Sequence, residues 1–381
     1  MTVQPFAVDW SEAAVADVLR RVREYPWPPA PEGGGWSYGC DGSFLRDLCG
    51  YWTDGYDWRA AQAELNRWPQ FTAEIEGLPL HLVHVVGEAG GRRPLLVTHG
   101  WPGSHYEFWA AIEPLAYPGR HGGDPADAFD LVIPSLPGFG FSGKPSRPLG
   151  QRVTARMFDA LMRMLGYDRY LAQGGDWGGL VTSYLGLYHG QRVRGIHLNM
   201  IGLRPAGGPK TQAEIDWITR TQAAMGQLGA YFQLQASKPQ SLAWMAAGNP
   251  VGQAAWIAER FHDWSDLRTR PFEAVYSRDQ LLTNVMLYVM TGSFMTGAWY
   301  YRALFEEGGI QLPDGARCET PTAFANFPGE ALYQTPPRSW AERAYNIVRW
   351  TDMPRGGHFA AMEEPGLFVD DVRAWAREVP V

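Results

Sequence analysis

The feature that most constrains this chain is a glycine-rich turn, Gly174-Gly-Asp176-Trp-Gly178, which lies between two apolar segments. The preceding run, Tyr170 to Ala172, predicts a buried strand, and the following stretch, Leu180 to Tyr188, predicts a helix. Small residues before and after Asp176 allow a sharp turn from strand to helix, which lifts the central side chain out of the sheet. An aspartate there can attack carbon to form an alkyl ester, whose hydrolysis needs a second group that activates water.

Strand-like and helical segments alternate along the chain, which indicates a mainly parallel sheet flanked by helices, the α/β class. Together with the turn at Asp176, this order predicts the α/β-hydrolase fold. The predicted parts are an N-terminal helical and aromatic segment wrapping the core (1–75), a first core part (76–203), a helical cap (204–312) and a second core part (313–381). The predicted strands are a hairpin over Phe71–Gly77 and Leu80–Val86, then Leu95–Thr98, Asp130–Pro134, Tyr170–Ala172, Thr322–Ala325 and Ile347–Trp350.

Composition excludes several classes of partner. The formal net charge is −7 and no Lys- or Arg-rich run occurs, so no basic stripe is expected to bind nucleic acid. Met1 to Arg20 does not resemble a signal peptide, and no apolar run approaches membrane-spanning length. The three cysteines, Cys40, Cys49 and Cys318, form neither a metal-ligand cluster nor an even disulfide set. We therefore expect a cytoplasmic protein with no nucleic-acid or membrane partner, and the oligomeric state stays open, a homodimer included.

Two downstream motifs distinguish a catalytic Asp176 from one that only caps a helix. Hydrolases of this fold order their residues as nucleophile, acid and then histidine. His358, in a Gly-Gly-His turn, is the predicted base, and Glu330, in Phe-Pro-Gly-Glu, is the predicted acid that orients it. Glu319, before a predicted strand, and Asp352, in the final loop, are the alternative acids.

The loop His99-Gly-Trp101-Pro-Gly-Ser follows the predicted strand Leu95–Thr98 and is constrained by glycine and proline. Such a turn can aim the backbone N–H of Trp101 into a site, and the amide of Trp177, directly after the nucleophile, offers a second donor. We predict that these two amides form an oxyanion hole. A tight turn that only ends a strand is the alternative.

Together these motifs resemble the microsomal-type epoxide hydrolases. The matching segments are His99-Gly-Trp-Pro, Gly174-Gly-Asp-Trp-Gly, Phe327-Pro-Gly-Glu and Arg355-Gly-Gly-His-Phe-Ala-Ala-Met-Glu-Glu-Pro, within a similarity from about Phe6 through Val372. The resemblance implies an N-terminal epoxide-hydrolase segment before the core. Because no membrane anchor precedes that segment, it implies a soluble bacterial member. It also implies an epoxide and water as the reactants, and no metal or organic cofactor.

The resemblance further assigns two cap tyrosines to the oxirane oxygen. Tyr231 matches the first and Tyr301 the second, with the adjacent Tyr300 as the alternative to Tyr301. An oxirane leaves as an alkoxide, and phenols with an ordinary pKa of about 10 stay protonated yet donate a hydrogen bond as that charge develops. The implied reaction is attack by Asp176, formation of an alkyl-enzyme ester, and its hydrolysis by water that His358 deprotonates, giving a vicinal diol.

Two other functions stay open. A haloalkane or haloacid dehalogenase also uses a nucleophilic aspartate, and the indole groups of Trp101 and Trp177 could bind a halide. A non-catalytic ligand-binding protein on the same scaffold is the third hypothesis. For the substrate, abundant cap aromatics predict a roomy apolar pocket for a bulky apolar or aryl epoxide of the kind met in secondary metabolism. Its predicted wall comprises Trp101, Trp177, Phe232 and Trp299, with Trp244 among further cap aromatics.

Overall fold

The fold is built on one mixed β-sheet. The structure, a computed structural model, describes residues 3–90 and 93–379; residues 1–2, 91–92 and 380–381, which belong to the predicted N-terminal and core parts, lie outside the described residues. The strands in the described ranges are β1 Val3–Phe6, β2 Gln70–Ile75, β3 Leu78–Val85, β4 Pro94–Thr98, β5 Asp130–Pro134, β6 Tyr170–Gly174, β7 Val193–Leu198, β8 Cys318–Asn326 and β9 Tyr345–Asp352.

The order of strands in the sheet is β1-β2-β3-β5-β4-β6-β7-β8-β9. Strands β1, β2, β3 and β5 pair antiparallel, and pairing from β5 through β9 is parallel. The predicted hairpin is β2–β3, closed by Glu76 and Gly77 with φ of 53° and 79°, as two-residue turns of the commonest type require. The α/β class and the mainly parallel sheet are thus confirmed.

Helices flank the sheet and form the cap. They are α1 Glu12–Arg23, α2 Gly42–Asp54, α3 Trp58–Leu65, α4 Trp109–Ala116, α5 Gln151–Met164, α6 Asp176–His189, α7 Gln212–Leu228, α8 Ala230–Ser237, α9 Pro239–Ala246, α10 Pro250–Trp264, α11 Phe272–Val275, α12 Arg278–Thr291, α13 Ser293–Glu306, α14 Arg338–Ala344, α15 Ala360–Glu363 and α16 Pro365–Glu378. Helices α7 to α13 lie between β7 and β8 in the chain, inside the stretch predicted as the cap.

The N-terminal segment joins the sheet to the cap. It supplies the edge strand β1, which the sequence analysis did not predict, and its helices α1 to α3 contact α10 and α12 of the cap. The Tyr56 hydroxyl lies 3.1 Å from Thr283 Oγ1, and the Trp36 ring stacks on His262 with 3.9 Å between centroids. The segment therefore holds the cap against the core by contacts with both.

Three further findings concern membranes, metals and thiols. Over residues 3–90 and 93–379, no single helix has both the length and the apolar composition to cross a membrane; α12 and α13 meet that test only as a pair, bent by 88°. Within the part of the chain that the structure describes, no group of three His, Cys, Asp or Glu side chains could hold a metal ion. Cys40, Cys49 and Cys318 are free thiols.

A buried carboxylate joins the last helix to the sheet. Asp371 of α16 accepts hydrogen bonds from His197 Nε2 on β7 (3.0 Å), and from Thr351 Oγ1 (2.7 Å) and Arg349 Nε (3.1 Å) on β9. Burial alone would raise the pKa of this carboxyl group. The hydrogen bonds and charges from His197, Thr351 and Arg349 outweigh burial and lower the pKa of Asp371 to about 2.

Asp371→Asn should therefore remove a pH-dependent part of the stability. A carboxyl group with a lower pKa in the folded state stabilises the fold above its unfolded pKa, and this contribution disappears as the pH falls through the folded value. A shift from 3.8 to about 2 corresponds to about 2 kcal/mol, lost between about pH 4 and pH 2. Urea unfolding across that window should show a steeper loss for the wild type than for Asp371→Asn, with Asp216→Asn, at an exposed position of α7, as the control. Parallel pH dependences of wild type and Asp371→Asn would contradict this account.

Candidate active site

Asp176 stands where β6 ends and α6 begins, and its φ of 50° lies in the left-handed region. A Cβ at Gly178 would overlap the carbonyl oxygen of Thr98 on β4, and one at Gly174 would overlap the carbonyl oxygen of Gly178. Both positions therefore require glycine, and close packing against β4 holds Asp176 in its strained conformation. Trp177 is the second residue of α6, where a backbone N–H has no partner within the helix.

A fixed backbone N–H donates to Asp176: Trp101 N lies 2.8 Å from its Oδ1. His99 sets the orientation of that peptide. Its Nε2 accepts from the amide of Leu136 (3.1 Å), so its Nδ1 carries the proton and donates to the Gly100 carbonyl (2.9 Å). The Gly100 carbonyl and the Trp101 N–H belong to one planar peptide group, so fixing the first fixes the second. Burial lowers the pKa of His99 to about 4, which keeps the ring neutral.

The cap helix α12 holds the same loop from the other side. Asn284 Nδ2 donates to the Pro102 carbonyl (2.8 Å), and the Tyr288 hydroxyl donates to the Gly103 carbonyl (2.7 Å). The Ser104 hydroxyl in turn donates to Asn284 Oδ1 (2.8 Å). The side chains of Asn284 and Tyr288 are both buried, so the position of the loop that carries the Trp101 N–H (the donor loop) depends on the packing of the cap.

His358 lies between two carboxylates. Its Nδ1 hydrogen-bonds with Glu330 Oε2, and its Nε2 lies 3.4 Å from Asp176 Oδ2. The other Glu330 oxygen accepts the amides of Leu332 (3.0 Å) and Tyr333 (3.1 Å). Burial, the largest single effect, opposes a charge on His358, but the charges and hydrogen bonds of Glu330 and Asp176 together raise the pKa of His358 well above its usual value. The two carboxylates beside the ring therefore favour its protonated form.

Of the three acids considered from the sequence, Glu330 is the one beside His358. Glu319 is exposed and pairs with Arg317 (3.1 Å). Asp352, at the end of β9, is also exposed and accepts from Asn326 Nδ2 (2.8 Å).

A second buried carboxylate, which the sequence analysis did not select, holds the backbone on both sides of His358. Glu363 Oε2 accepts the amides of Gly357 (2.9 Å) and Asp266 (2.8 Å), and its Oε1 accepts that of Phe359 (2.9 Å). The amide of His358 donates to the carbonyl of the last residue of α10 (2.9 Å). Asp266 also follows α10, so the histidine loop is bound to the cap through its backbone. The Glu-Glu-Pro end of the family motif was the available sequence signal for Glu363.

The two neighbouring tyrosines of α13 make different contacts. The Tyr300 hydroxyl hydrogen-bonds with Thr154 Oγ1 of α5, whereas the buried Tyr301 hydroxyl has no hydrogen-bond partner within residues 3–90 and 93–379. The Tyr301 ring packs edge-on against Trp177, with 4.6 Å between centroids. Burial raises the pKa of Tyr301 well above 10, and the charge of Asp176 adds to this shift. Tyr301 therefore keeps its proton and has it available for a ligand near Asp176.

Tyr231 of α8 belongs with Tyr301 to one group of rings in contact. This aromatic cluster comprises Trp101, Trp177, Tyr231, Phe232 and Tyr301. The Tyr231 ring stacks on Trp101 (5.5 Å between centroids, 6° between planes) and meets Tyr301 edge-on at 5.7 Å. Its hydroxyl lies 3.0 Å from that of Tyr333, a site residue that the sequence analysis missed. Burial raises the pKa of Tyr231 well above 10, and the nearby Tyr333, Tyr301 and Asp176 add to this shift. If Tyr333 donates within this pair, the Tyr231 proton is available to a third group.

The predicted substrate-binding aromatics fall into two groups. The Phe232 ring lies 6.5 Å from Trp177 and 5.3 Å from Tyr301 between centroids, so it belongs to the cluster. Trp299, which is half-buried, instead donates its indole N–H to a glutamine side chain of α9 (3.2 Å). Trp244 is 73% exposed. The structure therefore does not bring Trp299 to Asp176, and the prediction of Trp244 as part of a pocket wall is wrong.

The cavity that reaches Asp176 has a volume of ≈ 10 Å³ and is also lined by His358 and Trp101. Aromatic rings of the cap and of the Trp101 loop occupy the adjacent space in direct ring-to-ring contact. Beside Asp176, this cavity is far smaller than the roomy pocket predicted from the sequence.

Comparison with known proteins identifies the family to which this chain belongs. Residues 3–108 match the model for the epoxide hydrolase N terminus, and residues 93–309 match that for the alpha/beta hydrolase fold. A putative epoxide hydrolase from Stigmatella aurantiaca (strain DW4/3-1) is 38% identical over 99% of this chain and 85% of that protein. The chain belongs to the epoxide hydrolase family. Epoxide hydrolase 1 from Sus scrofa is 33% identical over 98% of this chain and 88% of its own length.

Solved structures of the family share the architecture. The Aspergillus niger epoxide hydrolase is 30% identical and superposes with a TM-score of 0.87 over 100% of this chain and 97% of its own. The juvenile hormone epoxide hydrolase of the silkworm Bombyx mori is 29% identical, with a TM-score of 0.87 over 99% of this chain and 94% of its own. The α/β-hydrolase fold and the family expected from the sequence motifs are both confirmed.

Proposed function

We propose that this epoxide hydrolase converts its epoxide to a vicinal diol through an ester with Asp176. The proposal rests on one observation: a backbone amide, a histidine paired with a second carboxylate, and a tyrosine hydroxyl surround the buried carboxylate of Asp176. The Trp101 amide donates to one oxygen at 2.8 Å, and His358, paired with Glu330, lies 3.4 Å from the other. The buried Tyr301 hydroxyl contributes a proton donor in the same aromatic cluster. The names of the relatives support the same reaction.

In the first step, Asp176 attacks a ring carbon from behind and the carbon–oxygen bond of the oxirane breaks. Tyr231 and Tyr301 donate to the departing oxygen, and one of them transfers its proton. Burial raises the pKa of both phenols, so neither is ionised before the alkoxide forms. Proton transfer to an alkoxide is still favourable, because an alkoxide is far more basic than a phenolate.

The ester changes the charge state of His358. The charges of Asp176 and Glu330 are what raise the pKa of this histidine against burial. Esterification removes the charge of Asp176, so the pKa of His358 falls. The proton that His358 loses passes to the ionised tyrosine and replaces the proton that this tyrosine gave to the alkoxide. The same event that creates the ester therefore converts His358 into a neutral base.

In the second step, water transfers one proton to His358 Nε2 and its oxygen adds to the ester carbonyl carbon. The amide of Trp101, with that of Trp177 as second donor, stabilises the tetrahedral oxyanion. The bond from the carbonyl carbon to the diol oxygen then breaks, and the second water proton passes from the new carboxyl group to that oxygen. Asp176 returns as an anion and His358 as a cation, and no proton is exchanged with solvent. No step needs a metal or an organic cofactor.

We further propose a bulky apolar or aryl epoxide as the substrate. The groups around Asp176 are aromatic: the Trp101, Trp177 and Phe232 rings lie within 6.5 Å of a neighbouring ring of the cluster. Aromatic walls favour flat apolar substituents. Because the rings are in mutual contact, a substrate enters only when they separate, which requires the cap to shift against the core.

The wild-type protein should therefore form diols from styrene-type epoxides faster than from short aliphatic ones, and release no halide from haloalkanes of similar size. The rival dehalogenase function rests on the indole N–H groups of Trp101 and Trp177, both buried without a hydrogen-bond partner in the described ranges. Chloride and bromide release measured beside diol formation separates the two functions. Halide release as the faster activity would overturn the proposal, and a preference for aliphatic epoxides would overturn the substrate class. Tight retention of an epoxide with no product would instead favour the ligand-binding hypothesis.

Two substitutions should separate formation of the ester from its hydrolysis. Asp176→Ala removes the nucleophile, so no diol and no adduct are expected. His358→Gln removes the base, so the protein should gain the mass of one substrate and keep it. Intact-protein mass spectrometry with a styrene-type epoxide measures both outcomes. Full turnover by Asp176→Ala, or the absence of any adduct on His358→Gln, is incompatible with the mechanism.

The role of Tyr231 and Tyr301 in ester formation can be tested with Tyr300 as the control. Tyr301→Phe and Tyr231→Phe should each slow ester formation roughly 10²- to 10³-fold, the range typical of one oxyanion donor, and the double change should be far worse. Tyr300→Phe is the matched control, because its hydroxyl binds Thr154 and should not affect ester formation. Single-turnover rapid quench measures this step. Equal rates for Tyr301→Phe and Tyr300→Phe would remove Tyr301 from the site.

A further inference from the structure

Glu107 is an acidic residue at the site with no role in the mechanism described so far. It lies in the short 3₁₀ turn His105–Phe108, directly after the loop that carries the Trp101 donor. Its carboxylate rests against Gly103, where a Cβ would overlap Oε1. It also lines the cavity of ≈ 10 Å³ together with Asp176 and His358. A carboxylate, a histidine and the nucleophile thus share one small space.

The size and lining of this cavity suit a single water molecule. Its volume is close to the roughly 10–15 Å³ that one water needs, and a buried water needs two to four polar partners. His358 Nε2 is buried and lies 3.4 Å from Asp176 Oδ2, a charge contact without hydrogen-bond geometry. The Asp176 carboxylate and the Asn199 side chain belong to the same wall. A water here would touch the base and the carbon that it must attack.

We propose that Glu107 binds and orients the water that hydrolyses the Asp176 ester. This inference rests on the proposed function. Glu107 accepts a hydrogen bond from one O–H of the water, while the other O–H faces His358 Nε2. With both protons directed in this way, a lone pair of the oxygen points at the ester carbonyl carbon. During attack the second O–H proton goes to His358, the new carbon–oxygen bond forms, and the Glu107 carboxylate neither gains nor loses a proton.

The surroundings of Glu107 set the pH range in which it can accept this hydrogen bond. Burial raises the pKa of Glu107 to about 8, and the Asp176 anion adds to that shift; the His358 cation and hydrogen bonds from the backbone amides of Gly100 and Ser104 oppose it. Two tyrosine hydroxyls lie near Glu107. The Tyr276 hydroxyl hydrogen-bonds with the Ser265 hydroxyl, and the Tyr288 hydroxyl donates to the Gly103 carbonyl. Esterification removes the Asp176 anion, and the same event neutralises the His358 cation, so the two charge effects on the pKa of Glu107 change in opposite directions. The accepting, ionised form of Glu107 is therefore favoured by a rise in pH through this pKa.

Single turnovers of the full-length protein with a styrene-type epoxide test this role. Glu107→Gln should form the ester at the wild-type rate and hydrolyse it roughly 10- to 100-fold more slowly, the effect of one hydrogen bond to a charged group. Glu107→Asp keeps a charged acceptor, whereas Gln offers only a neutral one, so Glu107→Asp should hydrolyse the ester faster than Glu107→Gln. The wild-type hydrolysis rate should rise as Glu107 ionises, and this limb of the pH profile should be absent in Glu107→Gln. Glu113→Gln is the matched control, since that α4 residue pairs with Arg67 (2.9 Å) outside the cavity.

Each outcome decides one question. Slow hydrolysis with normal ester formation in Glu107→Gln, and the lost pH limb, support the proposal. Hydrolysis at the wild-type rate and pH profile would overturn it while leaving the ester mechanism intact. Equal loss of both steps in Glu107→Gln and Glu107→Asp, with a lower melting temperature, would also overturn it, because it would mark a structural residue. Diol formation with no ester on wild type or His358→Gln would refute the proposed function itself.

Discussion

The site depends on how one buried carboxylate is held. Asp176 is 8% exposed, and a buried anion is tolerated when fixed donors and an opposite charge replace water. The Trp101 amide is one such donor, and the His358 ring, whose pKa is raised, lies on the other side of the carboxylate. Each is fixed in turn by a second residue: His99 holds the peptide of the amide, and Glu330 holds the ring. Loss of the Asp176 charge would therefore affect the Trp101 amide and His358 together, and the proposed ester removes that charge.

The cap takes part in the same arrangement. It binds the donor loop through Asn284 and Tyr288, and it binds the histidine loop through the backbone at the end of α10. It also carries Tyr231 and Tyr301. The N-terminal segment contacts α10 and α12 from outside. Cap, core and N-terminal segment thus determine together where the hydroxyls of Tyr231 and Tyr301 lie relative to Asp176, and any shift of the cap would also act on the loops that carry Trp101 and His358.

Much of this could be predicted from the sequence, because strand-to-helix turns and their glycines have local causes. Local motifs and chain order predict the Trp101 turn, Asp176, Glu330 and His358. The structure separates the three acids, because it leaves Glu319 and Asp352 on the surface. Tyr300 and Tyr301 could not be separated, since helical neighbours differ only in what they contact. Long-range packing decides the surroundings of the residues that the sequence does not reveal: Trp244, Glu107, Glu363 and Tyr333. No local pattern shows that a tryptophan is exposed or that a glutamate faces a cavity.

The most direct test of the account is a single turnover in ¹⁸O-labelled water with protein in excess over epoxide. An ester with Asp176 supplies the second diol oxygen from the carboxylate, so the diol should carry no label and the peptide containing Asp176 should gain one ¹⁸O. Mass spectrometry of the diol and of that peptide measures both. Label in the first-turnover diol, with none in Asp176, would mean that water attacks the epoxide directly and would contradict the account.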